Sequence, residues 1–216
     1  MKRQVAMRVA GLVLAGGEGR RMGGRDKGMV LLDGRPLVAH VIERLAPQVD
    51  CVLISANRSL DDYRCFGVPV MVDEPCWQGM GPLAGLASAA SRLPPGIDAV
   101  QLMPCDTPCV PLDLVARLSA RLMRETASGV CYPQSPSGPE PGMLLARTDR
   151  LATIGDYLNA GGRSLKGWLA AHSACVEVFV EVDAFANAND PERLLQLENT
   201  FFRGGCAASH DQEEAR

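Results

Sequence analysis

Glycine, arginine and lysine crowd one short stretch, GLVLAGGEGRRMGGRDKG, residues 11–28. Gly16, Gly17 and Gly19 would let backbone N–H groups come close to an anion. Arg20, Arg21, Arg25 and Lys27 add fixed positive charge. That is more cation than one phosphate calls for, and it suits a triphosphate. Two common phosphate loops are excluded at specific residues. Lys27 is followed by Gly28, so no hydroxyl stands beside the lysine to hold a metal, as G-x-x-x-x-G-K-[ST] requires. Met22 takes the third glycine position of G-x-G-x-x-G, and Asn57 stands where a ribose-binding acid would be needed. A solvated basic turn is the plain alternative. A strand running straight into so dense a loop argues against it.

Other polar residues fall where apolar runs stop. Asp106, in MPCDTP, follows a buried-strand pattern. In open parallel sheets ligands bind at that edge. A lone carboxylate beside a triphosphate site implies Mg²⁺, which takes hard oxygen ligands, although Asp106 also suits a cap on the Thr107-Pro108 turn. Asn57 and Asp73 end two further runs and could read a purine, since guanine offers N1–H and N2–H₂ donors that a carboxylate accepts. Each is equally a common turn former. Gly81 and Gly85, in GMGPLAG, permit either close approach to a nucleotide or close packing. FANAND, residues 185–190, supplies Asn189 or Asp190 as a helix N-cap ahead of Pro191. Arg163 and Lys166 read as a solvated basic face.

These residues need a scaffold, and the chain predicts one of alternating strands and helices, an α/β fold with a largely parallel, doubly wound sheet. Strands are expected at 9–15, 51–57, 68–74 and 98–106, and an alternating one at 175–182. Helices are expected at 36–49 with Pro36 at N1, at 81–93, 111–125, near 148–160 and 164–171, and at 189–201. YPQSPSGPEPG, residues 132–142, holds four prolines and reads as a loop or lid. No repeat or linker divides the chain, so a single domain is expected over 9–203, after a leader at 1–8 and before a disordered polar tail at 204–216. Lys2 and Arg3 loosely imitate a signal peptide, but Arg8 interrupts the apolar run that follows.

Composition narrows the function classes. The 216 residues are 47% apolar and 22% charged, with a formal net charge of −3. No global basic field for nucleic acid exists, and no apolar run is long enough to span a membrane. Eight cysteines contain no C-x-x-C, and with three histidines they form no zinc spacing. Buried free thiols in a reducing cytoplasm are expected.

LAGGEGRRMGGRDKG resembles the signature loop of nucleotidyltransferases with a glycosyltransferase-A-like fold, L-A-[GA]-G-x-[GS]-x-R-[ML]-G…K. Within them, MGGRDKG is similar to the molybdenum cofactor guanylyltransferases. The resemblance covers roughly residues 9–201. It implies GMP transfer from GTP to the molybdopterin cofactor, with release of pyrophosphate and with Mg²⁺ as cofactor. It implies catalytic roles for Arg20, Arg21, Lys27 and Asp106, and a nucleotide site of Leu14, Ala15, Gly16, Gly17, Lys27, Asn57, Asp73, Gly81 and Asp106. It places the metal on Asp106 with Asn189, and the second substrate near Gly85, Arg163, Asn187 and Asn189. Its implied partners are GTP, molybdopterin cofactor and, transiently, cofactor-insertion proteins and molybdoenzymes, with the chain a monomer that contacts neither nucleic acid nor membrane. One departure stands out: Glu140-Pro141 replaces the basic or polar residue that the family usually places before this proline, and an acid is unfavourable beside a pterin phosphate. Cytidylyl transfer to the same cofactor and a non-catalytic nucleotide-binding role in maturation remain open alternatives.

Overall fold

In the computed structural model, the described residues are 7–15, 18–19, 25–181 and 183–203. The expected leader lies mostly outside them, and the polar tail wholly so. Among the described residues, twelve strands run in chain order: β1 Val9–Leu14, β2 Glu18–Gly19, β3 Arg25–Asp26, β4 Leu31–Leu32, β5 Arg35–Pro36, β6 Cys51–Ser55, β7 Val70–Met71, β8 Ala99–Pro104, β9 Val130–Ser135, β10 Gly138–Pro139, β11 Leu145–Arg147 and β12 Cys175–Val178. The helices are α1 Leu37–Leu45, α2 Leu60–Arg64, α3 Pro82–Ala90, α4 Leu114–Arg124, α5 Thr148–Leu151, α6 Thr153–Asn159, α7 Leu165–Ala171 and α8 Pro191–Leu197.

Eight strands form the main sheet in the order β10-β9-β11-β8-β1-β6-β7, with β12 beside β9. β8, β1, β6 and β7 are mutually parallel, and β12 is parallel to β9. The pairings of β11 with β8 and β9, and of β10 with β9, are antiparallel. The expected α/β fold with a mostly parallel sheet is therefore present, with an antiparallel addition at one side.

β1 is apolar because both sheet faces are covered. Val9 and Val13 enter one core with α1 and α4, while Ala10 and Leu12 enter the other with α3, α6 and α7. α4 buries Leu114, Val115, Leu118 and Leu122 and leaves Ala116, Met123 and Arg124 exposed, the stripe expected of a helix on a sheet. α3 buries Leu83 through Ala89 without interruption, so its small residues bring its backbone close to the strands.

Several boundaries differ from expectation. Pro36 is the N-cap of α1 rather than N1, because its N-terminal neighbour Arg35 and Pro36 itself pair with β4 as a short strand. The strand expected at 68–74 shortens to Val70–Met71. Pro69 has no N–H, but its carbonyl accepts from Ile54 N at 2.9 Å, so the chain still follows the sheet edge. The proline-rich segment expected as a loop instead forms β9, the β9–β10 turn and a 3₁₀ turn at Pro141–Met143. Pro133 is tolerated within β9 because it serves as an acceptor, from Glu140 N at 2.9 Å. The alternating strand at 175–182 is regular only to Val178. Phe179 then turns into the core, where its ring lies 5.0 Å from that of Phe185 and beneath the Arg117 guanidinium.

The seven cysteines among the described residues carry free thiols, but they are not all buried as expected. Cys105, Cys109 and Cys131 are buried, Cys51 and Cys175 are half-buried, and Cys65 and Cys76 are exposed. Burial pushes the Cys109 thiol up to about 11. No helix of the described residues is long and apolar enough to cross a membrane.

Candidate active site

Four parallel strands end along one edge, and the predicted polar residues follow them. β1 ends in Leu14 and leads to Ala15, β6 leads to Asn57, β7 to Asp73 and β8 to Asp106. The edge is laced together by Ala15 N donating to Ser55 O at 2.8 Å, Cys105 N to Leu14 O at 3.0 Å, and Ala56 N to Met71 O at 2.9 Å. The N-terminus of α3 closes it from one side. Gly81, at φ 77°, turns the chain into Pro82 as the first helical residue. These segments enclose a cavity of about 440 Å³, lined among others by Leu14, Ala15, Lys27, Asn57, Asp73 and Asp106.

Gly81 and Gly85 line the same cavity. A Cβ on Gly85 would lie 2.7 Å from Ser55 Oγ and 2.8 Å from Leu14 Cδ2, so this glycine permits close contact of α3 with the sheet. Gly85, expected beside the second substrate, is thus placed on the wall shared with Leu14 and Asn57.

Asn57 and Asp73 form a reciprocal pair. Asn57 Nδ2 donates to Asp73 Oδ2 at 2.8 Å, and Asp73 N donates to Asn57 Oδ1 at 3.0 Å. Ser55 Oγ adds a contact to Asp73 Oδ1 at 3.3 Å. The amide of Asn57 therefore aims the buried Asp73 carboxylate, which faces the cavity as an acceptor.

Lys27 is presented by a built turn. Asp26 caps the 3₁₀ helix Lys27–Met29 by accepting from Gly28 N at 3.2 Å. Its carboxylate is itself held by the hydroxyl of the fully buried Tyr63 and by Arg58, whose Nε lies 3.4 Å away. Lys27 Nζ donates to both Asp106 Oδ2 and Asn189 Oδ1. Asn189 reaches this point because the segment after β12 docks on the turn that follows β8: Ala188 N donates to Asp106 O at 2.8 Å. Asp190 then caps α8 by accepting from Arg193 N at 2.9 Å, as its N-cap position predicts.

Two oxygens, one carboxylate and one amide, thus converge on a single cation position. That donor set fits a hard divalent ion that keeps water and phosphate oxygens in its remaining positions. Among the described residues, no three His, Cys, Asp or Glu side chains cluster as a self-sufficient metal cage.

A second cavity, of about 330 Å³, adjoins this cluster through Asn189 and is lined also by Asn187, Ser135, Glu140 and Arg193. Arg163 is not brought to either cavity. Its Nη1 donates to Leu158 O and Gly162 O, both at 2.7 Å, closing the end of α6. Gly16, Gly17, Arg20 and Arg21 lie outside the described residues. Tyr63, Arg58 and Ser55 were not expected at the site. Tyr63 sits in LDDYRCF, which carries no motif, and only the fold brings it beneath Asp26.

The MobA-like NTP transferase domain model matches residues 11–176. The chain is 38% identical over 194 residues to the molybdenum cofactor guanylyltransferase of Shewanella amazonensis, covering 89% of this chain and 97% of that one. It is 44% identical over 200 residues to the molybdenum cofactor guanylyltransferase of Burkholderia orbicola, covering 88% and 95%. Its fold matches the crystal structure of molybdopterin-guanine dinucleotide biosynthesis protein A from Archaeoglobus fulgidus with a TM-score of 0.69 and 20% identity, covering 88% and 97%. With its Lys27–Asp106–Asn189 cluster on the parallel-strand edge, the chain belongs to the MobA-like nucleotidyltransferases, in the family of the molybdenum cofactor guanylyltransferases.

Proposed function

We propose that the protein transfers GMP from GTP to the terminal phosphate of molybdopterin cofactor, forming the guanine dinucleotide and pyrophosphate. The observation that carries this reading is the placement of Lys27, Asp106 and Asn189 where the nucleotide cavity meets the second cavity. The acceptor phosphate oxygen forms a bond to the α-phosphorus as the bond to the β-phosphate bridging oxygen breaks. An ionised phosphate needs no general base, so positioning and charge neutralisation supply the catalysis.

Asp73, aimed by Asn57 and Ser55, accepts the guanine N1–H and N2–H₂ donors. Leu14, Ala15, Gly81 and Gly85 wall the nucleoside. Lys27 leans on the phosphates, and Gly16, Gly17, Arg20 and Arg21, close to it in sequence, would supply N–H donors and cations to the leaving pyrophosphate. Asp106 and Asn189 would hold the metal. Enzymes of this family generally use a divalent metal, and the oxygen donors here favour Mg²⁺. When bound, it neutralises triphosphate charge. Asn187 and Asn189 flank the acceptor. The protein acts as a cytoplasmic monomer, consistent with its free thiols, and passes its product to cofactor-insertion proteins and molybdoenzymes through transient contacts.

The test is pyrophosphate release from each of the four NTPs with Mg²⁺, with and without molybdopterin cofactor. Release with GTP and only in the presence of the acceptor is expected. Release with CTP instead would make it a cytidylyltransferase, and no release by folded protein with active cofactor would leave a nucleotide-binding role.

A further inference from the structure

The acid at position 140 belongs to the second cavity. Glu140 lines it together with Ser135, Ser137, Asn187, Asn189 and Arg193. The carboxylate is fixed. Glu140 N donates to Pro133 O at 2.9 Å, Glu140 O accepts from Met143 N at 3.1 Å, and the buried Ser135 donates its hydroxyl to Glu140 Oε1 at 3.0 Å. Desolvation raises its pKa.

Among the described residues, no cation forms an ion pair with Glu140. Arg193, the cavity's own cation, is engaged by Asp183 Oδ1 and Gln196 Oε1, each at 2.9 Å. A carboxylate offers about four acceptor sites, and Ser135 uses one. The group is thus a preorganised, partly dehydrated acceptor, and it calls for a ligand with N–H donors rather than a phosphate.

The acceptor substrate has such donors at the end remote from its phosphate. The 2-amino-4-oxopyrimidine edge of a pterin presents N3–H and the 2-amino N–H side by side, which matches the fork of a carboxylate. We propose that Glu140 reads this edge of the acceptor's pterin, so that the second cavity holds the ring while the phosphate lies at Asn189 and Lys27. The proposal rests on the guanylyl-transfer reading. It explains why an acid is acceptable here: Glu140 faces the ring's donors, and Asn189, not Glu140, borders the phosphate.

The experiment compares pterin with lumazine, fluorescent pteridines that differ in a 2-amino against a 2-oxo group, on the full chain and on Glu140→Gln. The wild type is expected to bind pterin about tenfold more tightly than lumazine, because the 2-oxo group replaces a donor with an acceptor. Glu140→Gln should abolish or invert this ratio, since its amide can donate to the 2-oxo group. It should raise KM for the molybdopterin acceptor about tenfold, with kcat and the Kd for Mg²⁺-GTP unchanged. The unchanged nucleotide Kd certifies the fold of the variant. Equal binding of the two pteridines by the wild type, no measurable pterin binding, or an unaltered ratio in Glu140→Gln would overturn the assignment. Pterin selectivity without guanylyl transfer would keep the subsite and reject the reaction.

Discussion

The Lys27 ammonium lies against the Asp106 carboxylate and touches Asn189 Oδ1 as well, so the lysine fills the position on which the two oxygens proposed to hold the metal converge. On that proposal a divalent ion would compete with the lysine for those oxygens, and a bound triphosphate would draw the lysine toward its own charge. Lys27→Met should therefore have two opposite effects. Mn²⁺ binding to the nucleotide-free protein, followed by electron paramagnetic resonance, should tighten about tenfold as a nearby like charge is removed. Guanylyl transfer should fall by about 10²–10³, the usual cost of losing one preorganised charge-stabilising donor. Weaker Mn²⁺ binding in the variant would show that the lysine does not block the metal.

Tyr63 acts on Lys27 through Asp26. Its hydroxyl bonds the carboxylate that caps the Lys27–Met29 turn, and the ring is fully buried beneath Gly28. Tyr63→Phe keeps the ring and removes the bond, a change worth about 1.5–3 kcal/mol for a bond to a charged group. The turn loosens without losing its charge, so kcat should fall about tenfold while KM for GTP changes little. Equal losses in stability and KM with normal kcat would assign Tyr63 to the core alone.

The parts of this arrangement that were legible in the sequence share a physical cause. β6 and β8 are apolar runs that stop abruptly, and the polar residue soon after each stop lies on the cavity edge. Asp106 and Asn57 were visible for that reason, and Asp73 as the end of the apolar run that holds the shorter β7. What stayed hidden depends on contacts between distant segments. Asn57 reads as a base contact until its amide is found bonded to Asp73, and Tyr63 has no local signature. β9 was concealed by Pro133 and the prolines that follow the strand, because composition does not reveal that Pro133 serves as an acceptor. β11 is three residues long beside Pro141-Gly142, too short for any period to show. The role proposed for Glu140 became readable only when the end of β10 placed it in a cavity with Asn189.

Gly85 offers a test of how closely α3 must approach the sheet. Alanine would improve helix propensity by about 1 kcal/mol. Its Cβ, however, would press on Ser55 Oγ and Leu14 Cδ2, and overpacking of this kind costs about 1–3 kcal/mol. The clash outweighs the propensity, so Gly85→Ala should lower Tm. Because Ser55 also contacts Asp73, KM for GTP should rise several-fold. A Tm at or above that of the wild type would mean that α3 shifts away freely.

His172 should make stability depend on pH near neutrality. Thr153 donates its hydroxyl to Arg150 O at 2.7 Å, so it accepts from His172 Nε2 at 2.9 Å and from Trp168 Nε1 at 3.2 Å. Burial lowers the imidazole pKa, and repulsion from Arg150 lowers it further, against a smaller opposing pull from Asp149. The folded state thus favours neutral imidazole more than the unfolded state does. The stabilising contribution is complete above the unfolded value near 6.5 and is lost as pH falls from there through the folded value. Thermal unfolding from pH 8 to pH 5 should show Tm falling more steeply in the wild type than in His172→Gln, whose amide can still donate to Thr153 but does not titrate. Parallel curves would mean that the imidazole titrates alike in both states and that other groups set the acid sensitivity of the fold.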